Sequence, residues 1–89
     1  MNESPAFFVS ALVKTEAIKH TGAAPSSVSI VRVEAKEWPD AGLGCGQPGQ
    51  GYLQMTTPGW LVEVAAASKT LEYHTDQTAN KIVLCKESG

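Results

Sequence analysis

The residues best suited to chemistry in this sequence lie in one short run, Glu72-Tyr73-His74-Thr75-Asp76. Alternate side chains of a β-strand project to the same side, so we expect Glu72 and Asp76 to flank His74. A carboxylate beside an imidazole orients and charges the ring, and such a trio could form an acid–base pair or a weak metal patch. The alternative, which we favour, is the solvated face of a strand. We therefore predict no enzyme and no metal site.

The two cysteines, Cys45 and Cys85, are 40 residues apart. They could be two small buried hydrophobic side chains, or a disulfide that ties a glycine-rich loop to the last strand. Closing that loop would contribute about 4 kcal/mol in the chain-entropy model. His20 and His74 offer the nearest further ligands, but no closely spaced pair exists, so the spacing predicts no zinc site and no cofactor. A flexible glycine-rich loop is also a poor platform for Cys45 as a nucleophile.

Residues 39–51 contain five glycines and are predicted to form a long loop. Long loops in small compact domains are usually functional or mobile. The stretch from Gly44 to Gly49 formally matches G-x-G-x-x-G, the motif that holds a pyrophosphate at the start of a helix. Here the motif leads into a predicted strand, and no Lys-Ser/Thr pair follows it. Nucleotide binding is therefore disfavoured.

Aromatic residues flank this loop and its neighbouring strands. They could simply pack the sheet, or some could line a groove for a peptide or a small planar ligand, because Tyr and Trp offer large contact areas. The candidate binding residues are Trp38, Leu43, Tyr52, Trp60 and His74.

The first element is predicted to be a helix over residues 5–21. Ser4 and Pro5 suit a helix start, and Gly22 suits its C-cap. The spacing of apolar residues places one set of side chains against the rest of the protein. We expect that core set to contain Phe7, Phe8, Ala11, Leu12, Thr15 and Ile18.

Alternation of apolar and polar residues predicts strands over 28–38, 52–56, 60–67, 70–76 and 81–86. The parity of the first strand changes near Ile30, which a β-bulge would explain. Turns are expected at Thr57-Pro58-Gly59 and at Ser68-Lys69. The predicted fold is α+β, one domain spanning 1–89, with the N-terminal helix packed on a four- or five-stranded, mainly antiparallel sheet that ends in a meander.

Composition limits the partners. The chain has 89 residues, 43% apolar and 18% charged residues, and a net charge of −2. Its seven basic residues are scattered, which disfavours nucleic-acid binding. No apolar run reaches the roughly 18 residues of a membrane span. The N-terminus lacks a positively charged start, so we expect a cytoplasmic chain as given, or an exported one if an upstream signal has been removed.

An ordered set of motifs covers most of residues 27–85. W-P-D-A-x-L-G-C begins at Trp38, P-G-x-x-Y-x-Q at Pro48, T-P-G-W at Thr57 and Y-H-T-D at Tyr73, and Cys85 follows. This string resembles a group of small uncharacterised bacterial proteins, common in cyanobacteria and related phyla. Members often read Leu-Gly-Cys-Pro, where Gly46 stands here in place of the proline. Many members look exported, so the resemblance implies a Cys45–Cys85 disulfide, and it implies no particular activity.

Three hypotheses for function follow. The first is a binding module that uses the 39–59 loop against a protein, a peptide or a small ligand. The second is a purely structural accessory domain whose loop only crosses the sheet. The third is an enzyme or metal site centred on His74.

Overall fold

The computed structural model describes residues 5–39, 42–45 and 56–89. One helix packs on a four-stranded antiparallel sheet whose strands follow chain order, β1-β2-β3-β4, which confirms the predicted α+β fold. Of the predicted strand 52–56, residues 52–55 lie outside the described residues. The elements are α1 (Pro5–Thr21), a 3₁₀ turn (Pro25–Ser27), β1 (Val28–Trp38), β2 (Thr57–Ala66), β3 (Lys69–Asp76) and β4 (Ile82–Ser88).

Helix α1 has the predicted bounds but buries a different face. It ends at Thr21 and is followed by Gly22, which has φ +71° and donates its backbone N–H to the Ile18 carbonyl. Val9, Val13 and Ala17 are buried, at four-residue spacing. The predicted core face is therefore wrong for its largest members: Phe7, Phe8 and Leu12 are 58%, 56% and 46% exposed.

The physical reason is that apolar residues surround the first half of this helix, so the spacing fits more than one face. The face against the sheet takes the smaller side chains, because small side chains let a helix approach a sheet closely.

Strand β1 carries the predicted bulge. Its pairing with β2 changes register between Ile30 and Arg32, so that Val31 is the extra residue and is 57% exposed. Val28 and Ile30 are even-numbered and Val33 is odd-numbered, so a regular strand would place Val33 on the opposite face. The bulge puts all three side chains on one face.

Two predicted turns are wrong. Thr57, Pro58 and Gly59 are the first residues of β2 and pair with the end of β1. A proline is tolerated there because β2 begins at this point, and a strand's first residues need fewer backbone donors. The second of these turns, between β2 and β3, lies at Ala67 and Ser68 and not at Ser68-Lys69. Ala67 adopts φ +57°, and Lys69 already belongs to β3.

The sheet has apolar residues on both faces. The face covered by α1 contains the larger cluster, which includes Val62, Val64, Leu71 and Tyr73. The opposite face, called the open face below, carries a second cluster of Trp38, Leu43 and Leu61, with Val83 against it. In the part of the chain that the structure describes, no helix has the length and apolar character needed to cross a membrane.

Candidate functional site

The candidate site lies on the open face, where residues 42–45 are held against the sheet. Leu43 and Gly44 both have positive φ, 61° and 78°, and the Cys45 backbone N–H donates to the Gly42 carbonyl at 3.3 Å. A left-handed conformation is unfavourable for leucine and persists only where its surroundings fix it. Here the turn directs the Leu43 side chain into the sheet, where it is 1% exposed.

The Trp38 side chain packs beneath this turn. Its indole N–H donates to the Thr75 carbonyl at 2.9 Å, so the side chain of a β1 residue reaches across β2 to β3. Gly59 permits the crossing, because a Cβ on Gly59 would collide with the Thr75 carbonyl and the Trp38 indole nitrogen. A Cβ on Gly44 would likewise lie 3.0 Å from the Trp38 ring. Gly44 and Gly59 therefore allow the backbone to lie close to the Trp38 side chain.

His74 links the turn to the sheet. Its ring stacks on Trp38 with 4.0 Å between ring centroids and 12° between ring planes. Nδ1 donates to the Leu43 carbonyl at 2.7 Å, and Nε2 faces a Glu72 carboxylate oxygen at 2.8 Å. His74 is thus held from both sides, by a backbone carbonyl on one ring nitrogen and by a carboxylate on the other.

The predicted environment of His74 is therefore wrong. His74 is 7% exposed and does not lie on a solvated strand face, because residues 42–45 cover it. Glu72 contacts the imidazole as expected, whereas the Asp76 carboxylate accepts the Lys81 backbone N–H instead.

Cys45 and Cys85 form a disulfide with a Cα–Cα distance of 5.8 Å. This bond ties the glycine-rich segment to β4, as one of the two sequence interpretations and the resemblance had implied. Trp38, Leu43, His74 and the Cys45–Cys85 disulfide are called the anchor cluster below. They fix residues 42–45 by apolar packing, by a hydrogen bond and by a covalent bond.

The anchor cluster also contains a set of metal-ligand atoms that the sequence spacing did not predict. The sulfurs of Cys45 and Cys85 and a ring nitrogen of His74 all lie within 4.8 Å of one another. The three residues come from a loop, β3 and β4, so strand pairing brings His74 close to Cys85, and the loop that covers this face adds Cys45. An antiparallel register that places His74 opposite Val83 was the signal that could have found them.

Trp60 lies apart from the anchor cluster. It is half-buried against the helix-covered core, and its indole N–H donates to the Gln77 carbonyl at 3.2 Å. It borders a cavity of about 310 Å³ at the end of the sheet where β1 stops and β2 begins. The cavity is lined by Ala35, Lys36, Glu37, Pro58, Gly59, Trp60 and Gln77.

The five predicted binding residues thus separate into three groups. Trp38, Leu43 and His74 are brought together and buried, Trp60 lines the cavity, and Tyr52 lies outside the described residues. Gly59 belongs to both regions, because it admits the Trp38 indole and lines the cavity. It had been assigned only to a turn.

Exposed ion pairs lie along β1 on the open face. Arg32 contacts Glu34 at 3.1 Å and Glu63 at 3.7 Å, and Lys36 contacts Glu34 at 3.3 Å. Such exposed pairs add little stability. They do place charge along β1, which has a strand partner on one side only among the described residues, and charged side chains discourage unwanted pairing at a sheet edge.

Two groups with shifted pKa values lie on the helix side instead. Burial raises the pKa of the Tyr73 phenol, and the charges of Glu16 and Glu87 add to that shift. Hydrogen bonds from Lys69 and then His20 lower the pKa of Glu87. The Tyr73 hydroxyl is buried and finds no hydrogen-bond partner among the described residues.

Comparison with known proteins identifies a family for this chain. A family model described as "Domain of unknown function (DUF8738)" matches residues 10–85. Neither a curated protein nor a solved structure matches the chain significantly.

Proposed function

Since the chain belongs to the DUF8738 family of unknown function, we propose that it is a binding module, and that its ligand is an extended segment of a partner protein. The proposed binding surface combines the cavity beside Trp60 with the 39–59 segment, of which Pro58 and Gly59 line the cavity. The observation that carries the proposal is that Pro58 and Gly59, at one end of this segment, line the cavity, while Leu43 and Cys45 near its other end are fixed by the anchor cluster.

A fixed base favours binding, because less conformational freedom is lost when the partner docks. At one end of the segment, Cys45 is bonded to Cys85 and Leu43 is buried. At the other end, Thr57 pairs with Trp38 in the sheet. The residues of the anchor cluster therefore act as positioning residues, and the contacts with a partner are assigned to other side chains.

The lining of the cavity suits a peptide. Trp60, Pro58 and Ala35 supply an apolar surface, and Lys36 and Glu37 add one charge of each sign beside it. An aromatic side chain with polar groups at its border is a common arrangement at the centre of protein interfaces. The cavity also adjoins β1, an edge strand in the described sheet, and an extended peptide can add to such an edge by backbone hydrogen bonds.

The experiment selects peptides from a random displayed library on the oxidised protein and then measures their affinities by titration. Trp60→Ala is expected to weaken the selected peptides about 30-fold, the effect of losing roughly 2 kcal/mol at a central aromatic contact. Phe8→Ala is the matched control, because Phe8 is an exposed aromatic residue on α1, outside the cavity. The proposal is wrong if no peptide is enriched, or if the enriched peptides bind Trp60→Ala as tightly as the wild type.

A purely structural role is the second candidate, and the burial of Trp38, Leu43 and His74 favours it. Catalysis at His74 has less support, because both ring nitrogens are occupied and the ring is stacked beneath the loop. The proposal also includes the bacterial, cyanobacterial-type origin that the motif string indicates. Its compartment is proposed to be an oxidising one, because disulfides persist there.

A further inference from the structure

We propose that Cys45, His74 and Cys85 form a binding site for a zinc-class divalent cation when the disulfide is reduced. The site does not depend on the proposed peptide-binding role. It uses the three ligand atoms that lie within 4.8 Å of one another on the open face. Two thiolates and one imidazole are ligands that Zn²⁺ binds tightly.

The distances allow a tetrahedral site. Zinc–sulfur bonds of about 2.3 Å and zinc–nitrogen bonds of about 2.0 Å place tetrahedral ligand atoms roughly 3.5–3.8 Å apart. The two sulfurs must separate to reach that distance, and the Cα–Cα distance of 5.8 Å permits it by rotation about the side-chain bonds. Three protein ligands leave the fourth position to a water molecule.

The surroundings of His74 already match those of a metal-bound histidine. Such a ring usually donates its second N–H to a carboxylate or a backbone carbonyl, which fixes its orientation. His74 has one of each, Glu72 on Nε2 and the Leu43 carbonyl on Nδ1. The nitrogen that binds the metal gives up its present acceptor, and the other nitrogen keeps an acceptor of the right kind.

The reaction that opens the site is a thiol–disulfide exchange with an external dithiol. One thiolate of the dithiol attacks a sulfur of the Cys45–Cys85 bond, and its second thiolate resolves the mixed disulfide. The protein gains two electrons and two protons, and the dithiol leaves as a disulfide. Binding of the cation then displaces the two thiol protons, and the ring nitrogen that binds the cation must also be free of a proton. Both cysteines are partly exposed, so a reductant and a cation can reach them.

The experiment reduces the full chain with a phosphine under anaerobic conditions, removes the reductant and titrates Co²⁺ as a spectroscopic probe. We expect one equivalent to bind, with a thiolate charge-transfer band and the visible bands of tetrahedral cobalt, and Zn²⁺ to displace it. The oxidised protein should show neither band. His74→Gln should abolish the tetrahedral spectrum, and Glu72→Gln should weaken binding about tenfold, the effect of losing an orienting carboxylate. His20→Gln is the matched control and should bind cobalt as the wild type does, because His20 pairs with Glu87 instead.

Reduced wild-type protein that remains folded and takes up no cobalt would overturn the proposal, as would a His74→Gln variant with an unchanged spectrum. If His74→Gln fails to fold, the ¹¹³Cd resonance of reduced wild-type protein decides, since two sulfur ligands and one nitrogen ligand give a characteristic shift. If reduction unfolds the wild type, recovery of its circular dichroism with Zn²⁺ supports the site. The site is contradicted if Zn²⁺ neither restores the circular dichroism nor protects the thiols from alkylation.

Discussion

The two faces of the sheet are held together by different kinds of interaction. The helix-covered face is a continuous apolar core in which Val62, Val64 and Leu71 are fully buried. The open face combines a small apolar cluster with a stacked Trp38–His74 pair, hydrogen bonds to backbone carbonyls and a disulfide. The comparison indicates that the first face makes the fold, whereas the second positions a segment of chain on it.

The largest expected effect comes from removing the covalent part of the anchor cluster. The double variant Cys45→Ala/Cys85→Ala should lower the free energy of unfolding by about 4 kcal/mol, because the unfolded chain regains the freedom of a 40-residue loop. Denaturant unfolding of the variant and the oxidised wild type measures the difference. A loss below about 1 kcal/mol would show that the open face does not depend on this bond.

A matched pair of buried leucines compares the two faces directly. Leu71→Ala, in the core under α1, should lower the free energy of unfolding by about 3 kcal/mol, as expected for a fully buried leucine. Leu43→Ala should cost about 2 kcal/mol and should increase hydrogen exchange mainly at the Trp38 indole and the neighbouring amides. If Leu43→Ala instead increased exchange equally throughout the sheet, the two faces would be one cooperative unit.

Gly59→Ala tests the crossing of Trp38 over β2. The added Cβ would collide with the Thr75 carbonyl and the Trp38 indole, so we expect a loss of roughly 2 kcal/mol and a changed Trp38 indole resonance. Gly22→Ala is the control, since Gly22 has φ +71° and no heavy atom within 4 Å of the added group. It should cost about 1 kcal/mol through backbone strain alone. Equal losses for both variants would contradict the close approach.

Tyr73→Phe should stabilise the helix-covered face by about 1 kcal/mol, because it removes a buried hydroxyl that has no partner among the described residues. The pKa of Tyr73 is raised above 10.0 in the folded protein, because the fold favours the neutral phenol. This contribution to the free energy of unfolding is lost as the pH rises from the pKa of the unfolded chain through that of the folded protein. The variant should therefore lose less stability than the wild type above pH 10.0. Thermal unfolding across that range measures both effects, and a destabilised variant would indicate a hidden partner.

The smallest effect is expected at the rim of the helix-covered face. The pKa of Glu87 is lowered from 4.5 in the folded protein. The charged carboxylate therefore contributes to the free energy of unfolding above pH 4.5, and this contribution is lost as the pH falls through the pKa of Glu87 in the folded protein. Glu87→Gln should flatten the stability profile below pH 4.5. High salt should produce the same flattening in the wild type, because Lys69 and His20 pair with Glu87 at the surface. Unchanged acid profiles in both experiments would contradict the pairing.

Local patterns predicted most of the fold. The bounds of α1 and β1 and the bulge near Ile30 follow from capping residues and a change of parity, which are short-range signals. The buried side of α1 did not follow, because apolar residues occur all around its first half and only the close contact with the sheet selects Val9, Val13 and Ala17. The turn predicted at Thr57-Pro58-Gly59 failed for a similar reason. Pairing with the distant β1 overrides the turn preference of Pro-Gly.

For the candidate site, the sequence predicted three of the residues but not their arrangement. Trp38, Leu43 and His74 were chosen because they flank the loop, but no sequence pattern showed that the loop returns to cover His74. The pattern Glu72-x-His74 is the same for a solvated strand face and for a buried ion pair. Only the tertiary position of Leu43, 31 residues away from His74, distinguishes them.

The central claim is that residues 42–45 are fixed on the open face through His74. The most direct measurement is the scalar coupling across the hydrogen bond from the His74 Nδ1–H to the Leu43 carbonyl carbon, observed by NMR on oxidised, isotopically labelled protein. We expect a measurable coupling and a ring proton that exchanges slowly with water. A rapidly exchanging ring with no coupling to Leu43, in protein whose β2 and β3 amides remain protected, would contradict the claim.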